Sequence, residues 1–210
     1  MICRLLNLYK FSAKYLLKYL IFSIFFFPGM LFSQDHKSYF LVYGGRYSHT
    51  TLLQILLRQY TDYDDSYIFT GAYSRQLPAS IRDIYFETEG QLVKHFGIMN
   101  HLEMNALLIA RYYVPVHFFN LSFALGEGVS MASKNPELEN FGPDILKLRT
   151  KGERSRPVLN YIMVEMDFGI QKYPEIKLFT RIHHRSGIFG TYCPDICGSN
   201  FLAYGIKIKL

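Results

Sequence analysis

The sequence predicts an all-β fold, an eight-stranded antiparallel up-and-down transmembrane β-barrel. Three observations favour this class. Eight segments alternate between apolar and polar residues with the period of a β-strand, and long connections alternate with tight ones between most of them. The chain also begins with a segment typical of exported proteins. Long loops at one end, tight turns at the other and an even strand number are typical of outer-membrane barrels.

The N-terminal segment predicts a secretory signal peptide covering residues 1–33. Its first part is basic and holds no acids, and an apolar run over residues 19–32 is broken only by Ser23 and followed by the small residue Ser33. The run is shorter than the roughly 20 apolar residues that a transmembrane helix needs. We therefore expect cleavage, with an uncleaved N-terminal anchor as the alternative, and a single barrel domain over residues 34–210. The basic residues are Arg4, Lys10, Lys14 and Lys18.

The net charge of the chain lies mostly in this targeting segment. Its four positive charges are part of the formal +6, so +2 remains in the mature chain. No basic stripe with interleaved aromatic residues follows, and we therefore expect no nucleic-acid partner. Half of the residues are hydrophobic, which excludes a disordered chain.

The eight predicted strands account for most of the mature chain. A helical turn is predicted in the first long connection, over residues 51–60. Tight turns are predicted around residues 114–116 and 172–174, and the connection over residues 131–156 is the longest. The strands are expected near residues 38–48, 66–76, 82–94, 99–113, 117–130, 157–171, 175–186 and 199–210.

Each predicted strand has one apolar and one polar face. In the fourth, Leu102, Met104 and Leu108 alternate with Glu103 and Arg111. Alternation alone fits a soluble barrel with an apolar interior as well as a membrane barrel with an apolar exterior. The signal peptide, the strand lengths and an amphipathic strand at the C-terminus favour the membrane barrel. Its interior is then filled by paired acids and bases with a structural role, and it has no pore.

The cysteines of the mature chain lie in one loop. Cys3 is in the signal segment, so Cys193 and Cys197 remain. They form either a disulfide, as exported proteins favour, or two free thiols. No histidine or further cysteine stands at ligand spacing from them, and we expect no metal site.

The chemically suggestive feature is a His-x-Ser pair in the seventh strand. His184 and Ser186 share the apolar face of that strand, because residues two apart project to the same side. With the N-terminus on the periplasmic side, the strand runs outward and both residues lie at its outer end, facing lipid. An imidazole can take the proton of a serine hydroxyl and make it a nucleophile.

The segment from Arg181 to Gly187, together with the signal peptide and the eight-strand pattern, resembles the PagL-type lipid A 3-O-deacylases. The resemblance implies an ester hydrolase of the Gram-negative outer membrane, whose active site lies on the barrel exterior. The implied substrate is lipid A or lipopolysaccharide in the outer leaflet, from which a 3-hydroxyacyl chain is removed. It further implies Ser186 as the nucleophile and His184 as the general base, with no metal or organic cofactor.

The sequence departs from that family at two positions. The family's glutamate, twelve residues after the serine, corresponds to Gly198 here, and Asp195 is the only carboxylate in the loop. Asn200 lies on the same side of the last strand as Leu202 and is the expected substitute, since a neutral asparagine can orient an imidazole. The family's asparagine after the serine is replaced by Gly187, whose backbone amide is the expected oxyanion donor.

Two other functions fit the sequence. The chain can be a non-catalytic outer-membrane barrel that serves in membrane integrity or adhesion through its long loops. It can also be a soluble exported barrel that binds an apolar ligand in its interior. The first alternative predicts that His184 and Ser186 tolerate substitution, and the second predicts an apolar lumen.

Overall fold

The chain folds into a closed barrel of eight antiparallel strands in sequence order, and β8 pairs with β1. The computed structural model describes residues 37–57, 61–115, 119–140, 155–188, 191–193 and 197–210. The predicted fold class is therefore confirmed, whereas the predicted signal peptide lies outside the described residues. Strands β1 to β8 span Ser38–Ser48, Tyr63–Ile81, Ile84–Gly97, Leu102–Val114, Phe119–Ala132, Val158–Ile170, Ile176–Ser186 and Gly198–Lys209.

The second strand differs most from its predicted bounds. It continues past Pro78 to Ile81, and its pairing with β3 shifts register between Gln76 and Ser80. Proline has no N–H to give to the ladder, so the irregularity falls where the donor is missing. Pairing resumes beyond it and ends in a tight turn, in which Arg82 adopts a left-handed backbone with φ of 54°.

The two ends of the barrel differ in their connections. The loop end carries the connections after β1, β3, β5 and β7, and the turn end carries the others together with the start of β1 and the end of β8. Helix α1 (Leu52–Leu56) lies in the first loop and confirms the predicted helical turn. A 3₁₀ helix, η1 (Glu137–Asn140), lies in the loop after β5. Among the described residues, no helix has the length and apolar character needed to cross a membrane.

The apolar faces of the strands point outward. On β4, Leu102, Met104 and Leu108 are 50%, 50% and 52% exposed, whereas Glu103 and Arg111 on the opposite face are 0% and 1% exposed. This is the orientation of a barrel whose exterior contacts lipid. It is the reverse of a soluble barrel with an apolar lumen, so that alternative is wrong.

Ion pairs fill the interior near the turn end. Arg111 donates to Glu87 at 2.8 Å and to Asp167 at 2.7 Å, and Lys207 donates to Glu165 at 2.6 Å. Four carboxylates there face four basic side chains, as buried charges require to offset desolvation. The predicted interior of paired charges is therefore confirmed. The remaining members of the network are Glu89, Lys177 and Arg181.

Candidate functional site

The His-x-Ser pair lies on the outer wall of the barrel at the loop end of β7. Leu178, on the same face, is 59% exposed, whereas His183, on the opposite face of the strand, is 0% exposed. His184 and Ser186 follow the parity of Leu178 and are partly exposed. The sequence-predicted direction of the pair therefore agrees with the structure: both residues belong to the lipid-facing face, not to the lumen.

Asn200 lies directly opposite His184. The two residues are register partners in the β7–β8 ladder, and Nδ1 of His184 lies 2.6 Å from Oδ1 of Asn200. The Asn200 amide is itself oriented, because its Nδ2 donates to the backbone carbonyl of Thr50 at 2.9 Å. Only the acceptor oxygen is then left to face the imidazole.

This hydrogen-bond chain fixes the tautomer of His184. Since Oδ1 of Asn200 can only accept, Nδ1 of His184 must carry the proton that it donates. The other nitrogen, Nε2, then holds the free lone pair that a general base needs. The contact of Asn200 with Thr50, which precedes α1, was not predicted from the sequence, since Thr50 contributes a backbone carbonyl 150 residues away in the chain.

Ser186 is not hydrogen-bonded to His184 among the described residues. Its Oγ instead accepts from the backbone amide of Ile188 at 3.2 Å. Two residues on one face of a strand are about 6.6 Å apart along the chain.

Gly187 is engaged by the loop that follows β7. Its amide donates to the carbonyl of Cys197 at 3.1 Å, and its carbonyl accepts from Tyr192 at 3.0 Å. Cys193 and Cys197 form a disulfide against this residue, and a Cβ on Gly187 would overlap both sulfur atoms. The predicted oxyanion donor is thus already bonded within the protein, and the glycine is required by its close contact with the disulfide.

The position of the family's glutamate is closed to a side chain. Gly198 has φ of 145°, in the region that favours glycine, and a Cβ there would overlap the carbonyl of Arg185. Glycine at this position is therefore a requirement of the backbone that starts β8. Asp195, the other carboxylate considered, lies outside the described residues.

A carboxylate also lies on the outer wall near the pair. Glu127 of β5 is exposed and is aligned through Ile162 of β6 with His184. Two strand spacings separate the backbones of Glu127 and His184 by about 10 Å. In the sequence, Glu127 stands out as an acid at a position of β5 where the other outward-facing residues are mostly apolar.

Among the described residues, the three side chains that could hold a metal ion together are His95, His101 and Glu103, inside the barrel. They are separate from the pair on the outer wall. Nucleophilic attack by a serine hydroxyl with an imidazole as base requires no metal ion.

The fold and the direction of its faces define an eight-stranded transmembrane barrel of the outer-membrane class. The crystal structure of the outer membrane enzyme PagL is similar, with a TM-score of 0.56 and 9% identity over 82% of this chain and 99% of that chain. Neisserial surface protein A gives a TM-score of 0.47 at 11% identity, over 84% of this chain and 100% of that chain. Ail of Yersinia pestis gives 0.40 at 10% identity, over 83% and 98%.

The similarity to PagL concerns the fold alone, since the sequences share few residues. No protein-family model matches the chain, and no curated protein matches it by sequence.

Proposed function

We propose that the chain, after removal of residues 1–33, is a Gram-negative outer-membrane ester hydrolase that removes a 3-hydroxyacyl chain from lipid A. The observation that carries this proposal is the hydrogen-bond chain from Thr50 through Asn200 to His184. It supports a base nitrogen on the lipid-facing wall, on the same face as the hydroxyl of Ser186. The resemblance of this segment to the lipid A 3-O-deacylases supplies the substrate class.

The proposed reaction has two halves. Nε2 of His184 takes the proton of Ser186 as Oγ attacks the ester carbonyl, and the resulting oxyanion collapses with cleavage of the bond to the sugar oxygen. The protonated imidazole gives its proton to that oxygen, which leaves as an alcohol. Water, deprotonated by His184, then releases the 3-hydroxy fatty acid from Ser186 and restores the hydroxyl.

Asn200 acts in this proposal as a positioning residue. In a Ser-His-Asp triad, asparagine in place of aspartate lowers kcat by about 10⁴-fold, because it stabilises the wrong imidazole tautomer. Here the Thr50 carbonyl takes the amide hydrogens, so Asn200 favours the correct tautomer. What asparagine lacks is negative charge, so the imidazolium formed in the reaction is stabilised less than a carboxylate would stabilise it.

In this proposal, backbone amides of the loop after β7 stabilise the oxyanion by donating hydrogen bonds to it. The Ile188 amide already lies 3.2 Å from Oγ of Ser186 and is available once the serine rotates. Gly187 contributes its amide only if it exchanges the bond to Cys197 for one to the substrate.

The test uses the full barrel folded in detergent micelles and incubated with purified lipid A. Released 3-hydroxy fatty acid is measured by mass spectrometry. We expect release by the wild-type protein, loss of release in Ser186→Ala and His184→Ala, and full release in Thr180→Val. Thr180 is a matched control, because its hydroxyl also lies on the outer face of β7. Heat-dependent mobility on a denaturing gel establishes that each variant is folded.

The second candidate function is a non-catalytic structural or adhesion barrel. The observation that favours it is the absence of a hydrogen bond between Ser186 and His184 in the described part of the chain, where Oγ is bonded to Ile188. This candidate predicts no release of fatty acid by folded wild-type protein. Release that persists in Ser186→Ala would instead reject the assigned nucleophile.

A further inference from the structure

A histidine cluster lies inside the barrel at the loop end, away from the outer wall. Nε2 of His95, on β3, lies 2.7 Å from Oε2 of Glu103, on β4. The ring of His101, which immediately precedes β4, stacks on the ring of His95 with centroids 3.9 Å apart and planes inclined by 17°. One ligand atom from each of the three residues lies within 4.8 Å of those of the other two.

The cluster contains buried nitrogens without partners. In the described part of the chain, neither ring nitrogen of His101 has a hydrogen-bond partner, and neither does Nδ1 of His95. His101 is 4% exposed and His95 is 0% exposed. A buried polar atom without a hydrogen bond costs about 1–3 kcal/mol, so three of them in one cluster indicate that a group belongs there.

We propose that His95, His101 and Glu103 bind one divalent transition-metal ion of the Zn²⁺ type. Two imidazoles and one carboxylate form a donor set that zinc accepts, and water completes a tetrahedral site. A metal bound to Nε2 of His95 replaces the hydrogen bond between that nitrogen and Oε2 of Glu103, and the imidazole then carries its N–H on Nδ1.

The site must adjust slightly around the ion. Metal–ligand bonds of about 2.0–2.1 Å place neighbouring ligand atoms of a tetrahedral site about 3.4 Å apart. Nε2 of His95 and Oε2 of Glu103, now 2.7 Å apart, must therefore separate, while the His101 nitrogen lies within 4.8 Å of the other ligand atoms. The stacked His101 ring must also rotate, because a metal lies in the plane of each imidazole that binds it. This rotation breaks no hydrogen bond described for His101. His101 is also the member of the cluster that retains some exposure, so the ion enters past it.

The residues around the cluster orient its carboxylate. Nε2 of His183 lies 3.0 Å from Oε1 of Glu103, and Nδ1 of His183 lies 3.0 Å from the hydroxyl of Tyr161. Such contacts to a ligand's second atom are typical of protein metal sites. Arg185 lies 4.0 Å from Oε2 of Glu103 but pairs at 2.7 Å with Glu139, so two carboxylates face one arginine. The surrounding charge therefore favours a cation.

The consequence of binding is a cross-link at the loop end of the barrel. The ion joins the end of β3 to the start of β4 and, through Glu103 and His183, to β7. We expect it to raise the resistance of the folded barrel to heat and denaturant by mass action.

The experiment uses untagged, refolded full barrel in detergent, treated with a chelator and then titrated with Zn²⁺ by calorimetry at neutral pH. We expect one equivalent to bind to the wild-type protein. Changes to second-layer residues weaken metal sites by about 10–100-fold, so loss of a direct ligand in His101→Gln or Glu103→Gln should weaken binding by at least about 100-fold. His49→Gln is the matched control, because His49 pairs with Asp64 at 2.9 Å outside this cluster.

A second measurement needs no variant. The electron-spin-echo spectrum of Cu²⁺-loaded wild-type protein reports the number of imidazole ligands, and two are expected. The proposal is overturned by Zn²⁺ binding well below one equivalent, by unchanged binding in His101→Gln, by an equal loss in His49→Gln, or by fewer than two imidazoles. None of these results bears on fatty acid release, so the two proposals fail separately.

Discussion

The inward direction of the charged faces can be tested by a matched pair of substitutions, Glu165→Gln and Glu127→Gln. Both remove one negative charge from adjacent strands without changing the shape of the side chain. Glu165 on β6 is 1% exposed in the interior, whereas Glu127 on β5 is exposed on the outer wall. Glu165→Gln should therefore lower the stability of the barrel, whereas Glu127→Gln should not.

The magnitude for Glu165→Gln follows from its contacts. Glu165 accepts from Arg111 at 2.8 Å, from Arg181 at 2.9 Å and from Lys207 at 2.6 Å. Removing one partner of a buried ion pair costs about 3–5 kcal/mol. Each of the three cations keeps a second carboxylate, Glu89 for Arg181 and Asp167 for the other two, so we expect the lower value, about 3 kcal/mol. This is a change on the order of 100-fold in the unfolding equilibrium constant.

Glu127→Gln should leave the free energy of unfolding unchanged or raise it slightly, because a charge on the lipid-facing wall is unfavourable. The assay is urea-dependent equilibrium folding into lipid vesicles. It is followed by far-UV circular dichroism and gel mobility, since the chain has no tryptophan. Equal destabilisation by the two substitutions, or a larger effect at Glu127, would refute the assigned orientation of the faces.

Two further predictions concern the outer wall and its loop. Asn200→Ala should lower kcat for the proposed hydrolysis by about fivefold, since Nδ1 of His184 loses the acceptor that orients its ring and a hydrogen bond contributes roughly 1 kcal/mol. Initial rates with lipid A in micelles check this result. Gly187→Ala should displace the loop, because a Cβ there overlaps Cys193, whereas Gly90→Ala meets no atom within 4 Å and serves as the control. Thiol titration checks this second prediction, and a fully oxidised, equally stable Gly187→Ala barrel would contradict it.

The barrel could be predicted from the sequence because its signal is periodic. Alternation such as that of Glu103 with Met104 repeats in every strand. Apolar residues lie on the face toward lipid, and charged residues lie on the face toward the ion-paired lumen. The strand ends were less predictable. Strand β2 runs through Pro78. The missing backbone N–H of the proline is tolerated at the register shift, because β2 pairs with β3 on both sides of it.

The candidate site could be predicted only in part. The alternation of faces along a strand shows which side a residue lies on, but it does not show which loop groups the residue contacts. The parity of Asn200 correctly placed it beside His184. The orientation of its amide depends on the Thr50 carbonyl, and a backbone group leaves no signal in the sequence. The engagement of Gly187 by Cys197 likewise depends on how the last loop closes.

The histidine cluster was not predictable for a related reason. Glu103 belongs to the polar row that was expected inside the barrel, but His95 lies on the preceding strand. Its position beside them depends on the backbone bond from its amide to the His101 carbonyl, at 2.9 Å, which closes the short connection between the strands.

The solid, ion-paired lumen determines how any molecule can meet the hydroxyl of Ser186. No route leads to it through the charged side chains described inside the barrel, and the outer wall borders hydrocarbon. A lipid that reacts at Ser186 would therefore arrive by lateral diffusion within the leaflet. Encounter frequency then depends on the fluidity of the membrane and on the surface density of that lipid, and an effective inhibitor must first partition into the bilayer.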